Sequence, residues 1–173
     1  MLKKGKWKVL LGKTFKGCSY FWRGSLSSYI NPILVDDSII CIEINDGKSQ
    51  YLFVNVYLPC DKQNRDSLHD YQVSLAKLKV ILEEQAINNI IIVGDFNADP
   101  NKGRFFNELK DFMVEMSLTN IDKILPAGSF TYLCPFRDTT SWLDHILCSE
   151  NLVSYFKNIY MLTTKMQFLI IFH

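Results

Sequence analysis

The sequence has no Cys-x-x-Cys pair: its five cysteines, Cys18, Cys41, Cys60, Cys134 and Cys148, are scattered over 173 residues. That spacing offers neither a structural zinc site nor the disulfide framework of a small secreted domain. There is no secretory signal at the start, so the thiols are expected to be reduced and the protein intracellular. Long apolar runs are missing too. The strongest, Phe168 to Phe172, is far shorter than the roughly 20 residues a membrane-spanning helix needs, and no membrane anchor is predicted. Internal repeats and low-complexity stretches are absent, which removes solenoids and disordered linkers. Acidic residues are also lacking from the start of the chain. Lys3, Lys4, Lys6, Lys8, Lys13, Lys16 and Arg23 all precede Asp36, so residues 1–35 carry +7 and the remainder −6. A basic arm of this kind can hold nucleic-acid phosphates by releasing counterions; a solvated chain end has the same composition.

Regular patterning begins at Ser38. Ile39 to Ile44 and Tyr51 to Leu58 are β-rich runs around Asn45-Asp46-Gly47, and they predict a hairpin. Pro59 ends the second strand. Asp66 is positioned to cap a helix whose apolar residues, Leu68, Tyr71, Leu75, Leu78 and Leu82, recur at three- and four-residue steps. Ile90 to Val93 is a continuous apolar run, too short for a helix and suited to a strand buried on both faces. A second amphipathic helix is expected from about Gly103 to Met116, burying Phe106, Leu109, Phe112 or Met113, and Met116, with short strands near 130–133, 141–148 and 158–162. The interleaving gives an α+β or α/β class. We expect one domain over residues 22–163, an irregular basic segment at 1–21 and an irregular apolar tail at 164–173.

Three places can carry chemistry. In Gly94-Asp95-Phe96-Asn97-Ala98-Asp99-Pro100 a buried strand delivers a carboxylate to a sheet edge, where α/β sites commonly form. Asp95 could take a proton from water and Asn97 orient it, while Phe96 packs inward; equally, Asp and Asn here could simply bond the backbone of a turn. In Ser141-Trp142-Leu143-Asp144-His145-Ile146-Leu147 an aspartate interrupts an apolar strand, and burying a carboxylate without a partner or a task is costly. Adjacent strand residues face opposite sides, so Asp144 and His145 should not share one site, and His145 reads as structural. Tyr57 closes the strand before Pro59, where its phenol could donate to a phosphate oxygen or pack as an ordinary aromatic. Leu11-Gly12-Lys13-Thr14 imitates the end of a phosphate-binding loop, but Trp7 stands where its first glycine belongs and no clear strand precedes it.

Asn55-Val56-Tyr57-Leu58-Pro59, Gly94-Asp95-Phe96-Asn97 and Ser141-Trp142-Leu143-Asp144-His145-Ile146 follow one another in the order and approximate spacing of the endonuclease/exonuclease/phosphatase superfamily. In detail they resemble the apurinic-type endonuclease domain of non-LTR (LINE-type) retrotransposons, from about Trp22 to Leu162. The resemblance implies a DNase I-like, four-layer α+β fold, a two-sheet β-sandwich flanked by helices. It implies a divalent cation, magnesium or alternatively manganese, DNA as the partner, and action in the nucleus. Asp95 would activate or position water, Asn97 orient the nucleophile and phosphate, and Tyr57 contact the phosphate. Asp144 would match the aspartate that orients a catalytic histidine. Asp95 and Asn97 would be the remaining metal ligands.

The family pattern is incomplete at both ends. The histidine usually comes from a Ser-Asp-His motif one strand later, where this chain reads Lys165-Met166-Gln167-Phe168-Leu169, and His173 has no preceding Asp. The usual metal-binding Glu has no counterpart before Glu43, which sits in the hairpin and is expected to face solvent. The resemblance therefore implies metal-dependent hydrolysis of DNA phosphodiesters as the ancestral reaction, weak metal binding, and reduced or lost activity. The alternatives are a non-enzymatic nucleic-acid-binding remnant and a phosphatase or exonuclease of the same superfamily.

Overall fold

In the computed structural model, which describes residues 7–11, 19–125, 130–134, 138–162 and 167–172, strands and helices interleave. They are β1 (Trp7–Leu11), β2 (Ser19–Arg23), β3 (Ile30–Val35), β4 (Ile39–Asn45), β5 (Gln50–Tyr57), α1 (Arg65–Gln85), β6 (Ile90–Asp95) and α2 (Arg104–Glu115). There follow β7 (Leu118–Asn120), α3 (Ile121–Ile124), β8 (Tyr132–Cys134), β9 (Thr139–Ser141), β10 (Asp144–Ser149), β11 (Phe156–Leu162) and β12 (Gln167–Phe172). The main sheet has the order β3-β4-β5-β6-β10-β7, and β1-β2, β8-β9 and β11-β12 form two-stranded pairs. This is the α+β class. Only β5 and β6 are parallel, joined through α1; the other pairs are antiparallel.

The hairpin forms where the Asp-Gly turn predicts it. β4 and β5 run in register from Ile39 opposite Val56 to Asn45 opposite Gln50. Gly47 takes the left-handed φ of 82° that the turn requires, and Asp46 Oδ1 accepts from the amides of Lys48 and Ser49. α1 buries Tyr71, Leu75, Leu78, Ile81 and Leu82. Its cap is Asn64, not Asp66: Asn64 has extended backbone and its side chain accepts from the Ser67 amide at 2.8 Å. Asp66 lies inside the first turn, where it complements the helix dipole instead. α2 starts at Arg104 and buries Phe105, Leu109 and Phe112, with Phe106, Met113 and Met116 packed partly buried at the rim. Phe105, absent from the expected stripe, stacks on Tyr71 with ring centroids 4.1 Å apart. The Arg104 guanidinium clamps Asp61 through Nη2 at 2.7 Å and Nε at 3.2 Å, tying the two helix starts together.

The two faces of the sheet bury different sets of side chains. Leu52, Val54 and Val56 of β5, Ile90 and Ile92 of β6, and Leu147 of β10 pack with α1 and α2. Ile91 and Val93, Tyr51 and Phe53, and Ile146 and Cys148 occupy the other face, with Ile121, Leu152 and Phe156. Residues 1–21 and 164–173, expected to be irregular, contain β1 and β12, and β3 precedes Ser38, where regular patterning begins in the sequence. The apolar stretches there are too short for periodicity to announce them, and antiparallel partners supply their hydrogen bonds. Lys3, Lys4, Lys6, Lys13 and Lys16 of the basic arm, Lys165, and His173 lie outside the described residues. Among the described residues no helix is long and apolar enough to cross a membrane, and Cys41, Cys60 and Cys148 are free thiols.

Candidate active site

Three strand ends meet at one edge of the main sheet. Tyr57 at the end of β5 is the register partner of Asp95 at the end of β6, and Asp95 is in turn the partner of Asp144 at the start of β10. Side chains along a strand alternate between faces. Counting by twos from Phe53, Val93 and Ile146 places Tyr57, Asp95 and Asp144 together on the face away from α1 and α2. The close approach of β5 and β6 here depends on Gly94. Its φ is 140°, and a Cβ on it would lie 2.0 Å from the Val56 carbonyl oxygen. Tyr57 is 40% exposed, whereas Asp95 and Asp144 are buried.

Beyond Phe96 the chain stops being extended. Asn97 has a left-handed φ of 49°, so Asp95 and Asn97 are related by a turn and not by strand alternation. The Asn97 amide donates to Asp95 Oδ1 at 2.9 Å, and Asn97 Nδ2 donates to the Leu58 carbonyl at 2.8 Å. The turn contacts and the approach to Asp95 thus coexist in one segment. Asn97 Oδ1 is the side-chain atom left for a further partner. Phe96 packs fully buried into the helix-side core. Asp99 closes the segment, accepting from the amides of Asn101 at 2.9 Å and Trp142 at 3.3 Å, with Lys102 Nζ 3.5 Å away.

The electrostatics of the edge are unbalanced. Burial, then the neighbouring Asp144 charge, push the Asp95 carboxyl up to about 6, against the opposing Asn97 amide and His145. Asp144 is also raised, first by burial; its hydrogen bond with Thr131 and the nearby His145 oppose the shift, and Asp122 adds to it. The Thr131 hydroxyl accepts the amides of Leu143 at 2.8 Å and Asp144 at 3.0 Å, which fixes the start of β10.

His145 belongs to the opposite face. It is fully buried, with Nδ1 2.9 Å from Asp122 Oδ2 and Nε2 2.7 Å from the Ala98 carbonyl oxygen. Asp122 Oδ1 also accepts the Ile146 amide at 2.8 Å. Glu43 lies at the other end of the sheet, opposite Leu52, partly exposed and ringed by the side-chain amides of Asn31, Asn45 and Gln50. It does not approach Asp95.

Sequence reasoning passed over Thr131, Asp99 and Asp122. Thr131 carries no local signal, being 13 residues from the amide it holds. Asp122 did carry one: it sits among Leu118, Ile121, Ile124 and Leu125, and the argument from buried charge that singled out Asp144 applies to it equally.

The oxygen donors at the edge, Asp95, Asp144 and Asn97, are of the kind that hard divalent cations prefer, and a cation would relieve the carboxylate repulsion. They fall short in number. Among the described residues no group of three or more His, Cys, Asp or Glu side chains is arranged to hold a metal ion.

Comparisons with known proteins agree with this architecture. The structure is similar to the endonuclease domain of TRAS1, a telomere-specific non-LTR retrotransposon, with TM-score 0.68 and 15% identity over 88% of this chain and 71% of that one. It is similar to the 3′ phosphatase NExo from Neisseria bound to a product DNA hairpin, with TM-score 0.54 and 14% identity over 72% of this chain and 57% of that one. A mannosyl-6-phosphatase, Bt3783 from Bacteroides thetaiotaomicron, gives TM-score 0.56 and 16% identity over 95% and 72%. Likenesses at such identity establish a shared DNase I-like α+β fold. No curated protein matches the sequence. A family profile described as the Endonuclease/Exonuclease/phosphatase family matches residues 8–157. With that span covering the whole main sheet and its site edge, the chain belongs to the endonuclease/exonuclease/phosphatase family.

Proposed function

We propose that the chain is a phosphodiester hydrolase domain of the retrotransposon endonuclease kind, acting on DNA, with reduced activity. The observation that carries this reading is the convergence of Tyr57, Asp95 and Asp144 on one face and edge of the sheet, with Asn97 bonded to Asp95. A carboxyl pushed up to about 6 is suited to accept a proton from water near neutral pH. In this reading Asp95 takes that proton, Asn97 orients the water by accepting from it at Oδ1, and the exposed Tyr57 hydroxyl donates to a phosphate oxygen. Asp144 keeps the Asp95 proton affinity high. Magnesium, held by Asp95 and Asn97, would supply charge stabilisation on the phosphate. So few protein oxygens make its binding weak. The resemblance to retrotransposon endonucleases favours action in the nucleus.

The test is nicking of supercoiled plasmid in magnesium by the full chain, beside Asp95→Ala and a chelator control. We expect slow nicking that both controls abolish. Folded protein that leaves plasmid intact would overturn the hydrolase reading. Turnover of a small phosphomonoester without nicking would replace it by a phosphatase of the same family.

A further inference from the structure

His145 is fully buried and meets a polar partner at each ring nitrogen. His145 joins three elements: its own strand β10, the start of α3 through Asp122, and the segment after β6 through the Ala98 carbonyl. Asp122 also holds the Ile146 amide, so the carboxylate grips β10 at two successive residues. Two of these three elements are regular and packed. α3 and β10 belong to a packed region in which Ile121, Ile146 and Cys148 are buried together. The third is not part of any regular element: Ala98 lies in the turn that carries Asn97.

That turn needs an external hold. Asn97 sits at φ 49°, a region that disfavours side-chain-bearing residues, although Asn tolerates it better than most. The Asn97 amide bond to Asp95 fixes its backbone and the Nδ2 bond to Leu58 aims its side chain, and the Ala98–Asp99 peptide, whose carbonyl His145 meets, holds the chain directly after them. The Ala98 carbonyl is buried, and His145 Nε2 at 2.7 Å is the donor it has.

We infer that His145 is a positioning residue for Asn97, acting through the Ala98 carbonyl with Asp122 behind it as the support for the ring. Its functional atom is the Nε2 proton. The Nδ1 side anchors the ring and does not itself reach the site segment. The inference deepens the hydrolase reading in its consequence for activity, while its structural content stands without that reading.

Two substitutions separate the two nitrogens. An Asn amide nitrogen stands as far along the side chain as Nδ1, and a Gln amide nitrogen as far as Nε2, so His145→Gln keeps a donor for Ala98 and His145→Asn keeps one for Asp122. Hydrogen exchange of the full chain is followed at 96–99 and, as reference, at the buried core of β4. We expect exchange at 96–99 to rise at least about tenfold relative to β4 in His145→Asn, and to stay within about twofold of wild type in His145→Gln. A histidine serving only as the partner of Asp122 would give the reverse order. The reverse order, or equal effects in both variants, would overturn the inference. Should neither variant fold, Asp122→Asn decides. The side-chain amide introduced by that change can donate to His145 Nδ1 and leave the Nε2 proton facing Ala98, so protection at 96–99 should persist, and a selective tenfold loss there would overturn the assignment. If the wild type nicks plasmid, kcat should fall about tenfold in His145→Asn with KM unchanged and be rescued in His145→Gln. If it does not nick, the hydrolase reading fails and the exchange result still decides the positioning role.

Discussion

Asp144 and His145 are adjacent in sequence, and their surroundings differ in almost every respect. His145 points to the helix side, sealed from water, and meets a carboxylate and a carbonyl at hydrogen-bond distance. Asp144 points to the other side, at a sheet edge, and meets another carboxylate as its register partner. One strand thus separates a satisfied buried pair from a repulsive one. The satisfied pair can stabilise the fold whatever else its ring holds in place. The repulsive pair cannot stabilise it, because burying two like charges side by side lowers stability unless a proton, a cation or a substrate resolves the conflict.

Breaking the satisfied pair should produce the largest effect. His145→Ala leaves the buried Asp122 carboxylate without its partner, and unfolding by urea should show a loss of about 3–5 kcal/mol. Relieving the repulsive pair should act in the opposite direction. Asp95→Asn removes the buried charge, and a gain of about 2–3 kcal/mol at pH 7 is expected, with loss of any nicking. The pH dependence follows from the same shift. The folded state holds the Asp95 proton with a value of about 6 against an ordinary value of 3.8, so it binds the proton more tightly than the unfolded chain does. Its contribution is therefore most favourable at the acid end, declines as pH rises from about 4 to about 6, and is fully unfavourable above that window. Urea midpoints across this range should show the decline in wild type and lack it in Asp95→Asn.

Smaller effects sharpen the contrast further. Magnesium at a few times its Kd should stabilise the wild type by about 1 kcal/mol in thermal unfolding and leave Asp95→Asn unchanged. Thr131→Val deprives the Leu143 and Asp144 amides of their shared acceptor. A loss of about 1 kcal/mol is expected, with the Asp144 carboxyl raised further, read by carboxyl NMR.

The same contrast shows which features could be read in the sequence. The β4–β5 hairpin was legible because Asp46-Gly47 separates two β-rich runs, and β6 because four apolar residues end at a carboxylate. The divergence of Asp144 and His145 followed from strand alternation alone. What escaped is tertiary. Asn64 and Asp66 are both plausible caps, and only the extended backbone at Asn64 decides between them. β7 and α3, three and four residues long, are too short for any period to register. The left-handed turn at Asn97 replaces the extended geometry that strand alternation implies for it, and its holding partners, Leu58 and His145, lie 39 and 48 positions away along the chain. Local rules find the carboxylate but not the scaffold that aims its neighbour.

The most direct test of the electrostatic account is a carboxyl-carbon NMR titration of Asp95 in wild type and in Asp144→Asn. The account predicts a midpoint near 6 in the wild type. Removing the Asp144 charge should lower it while burial keeps it above the ordinary carboxylate range. A midpoint near 4 in both proteins would mean that the two carboxylates are neither desolvated nor coupled, and the claim of an electrostatically poised edge would be wrong.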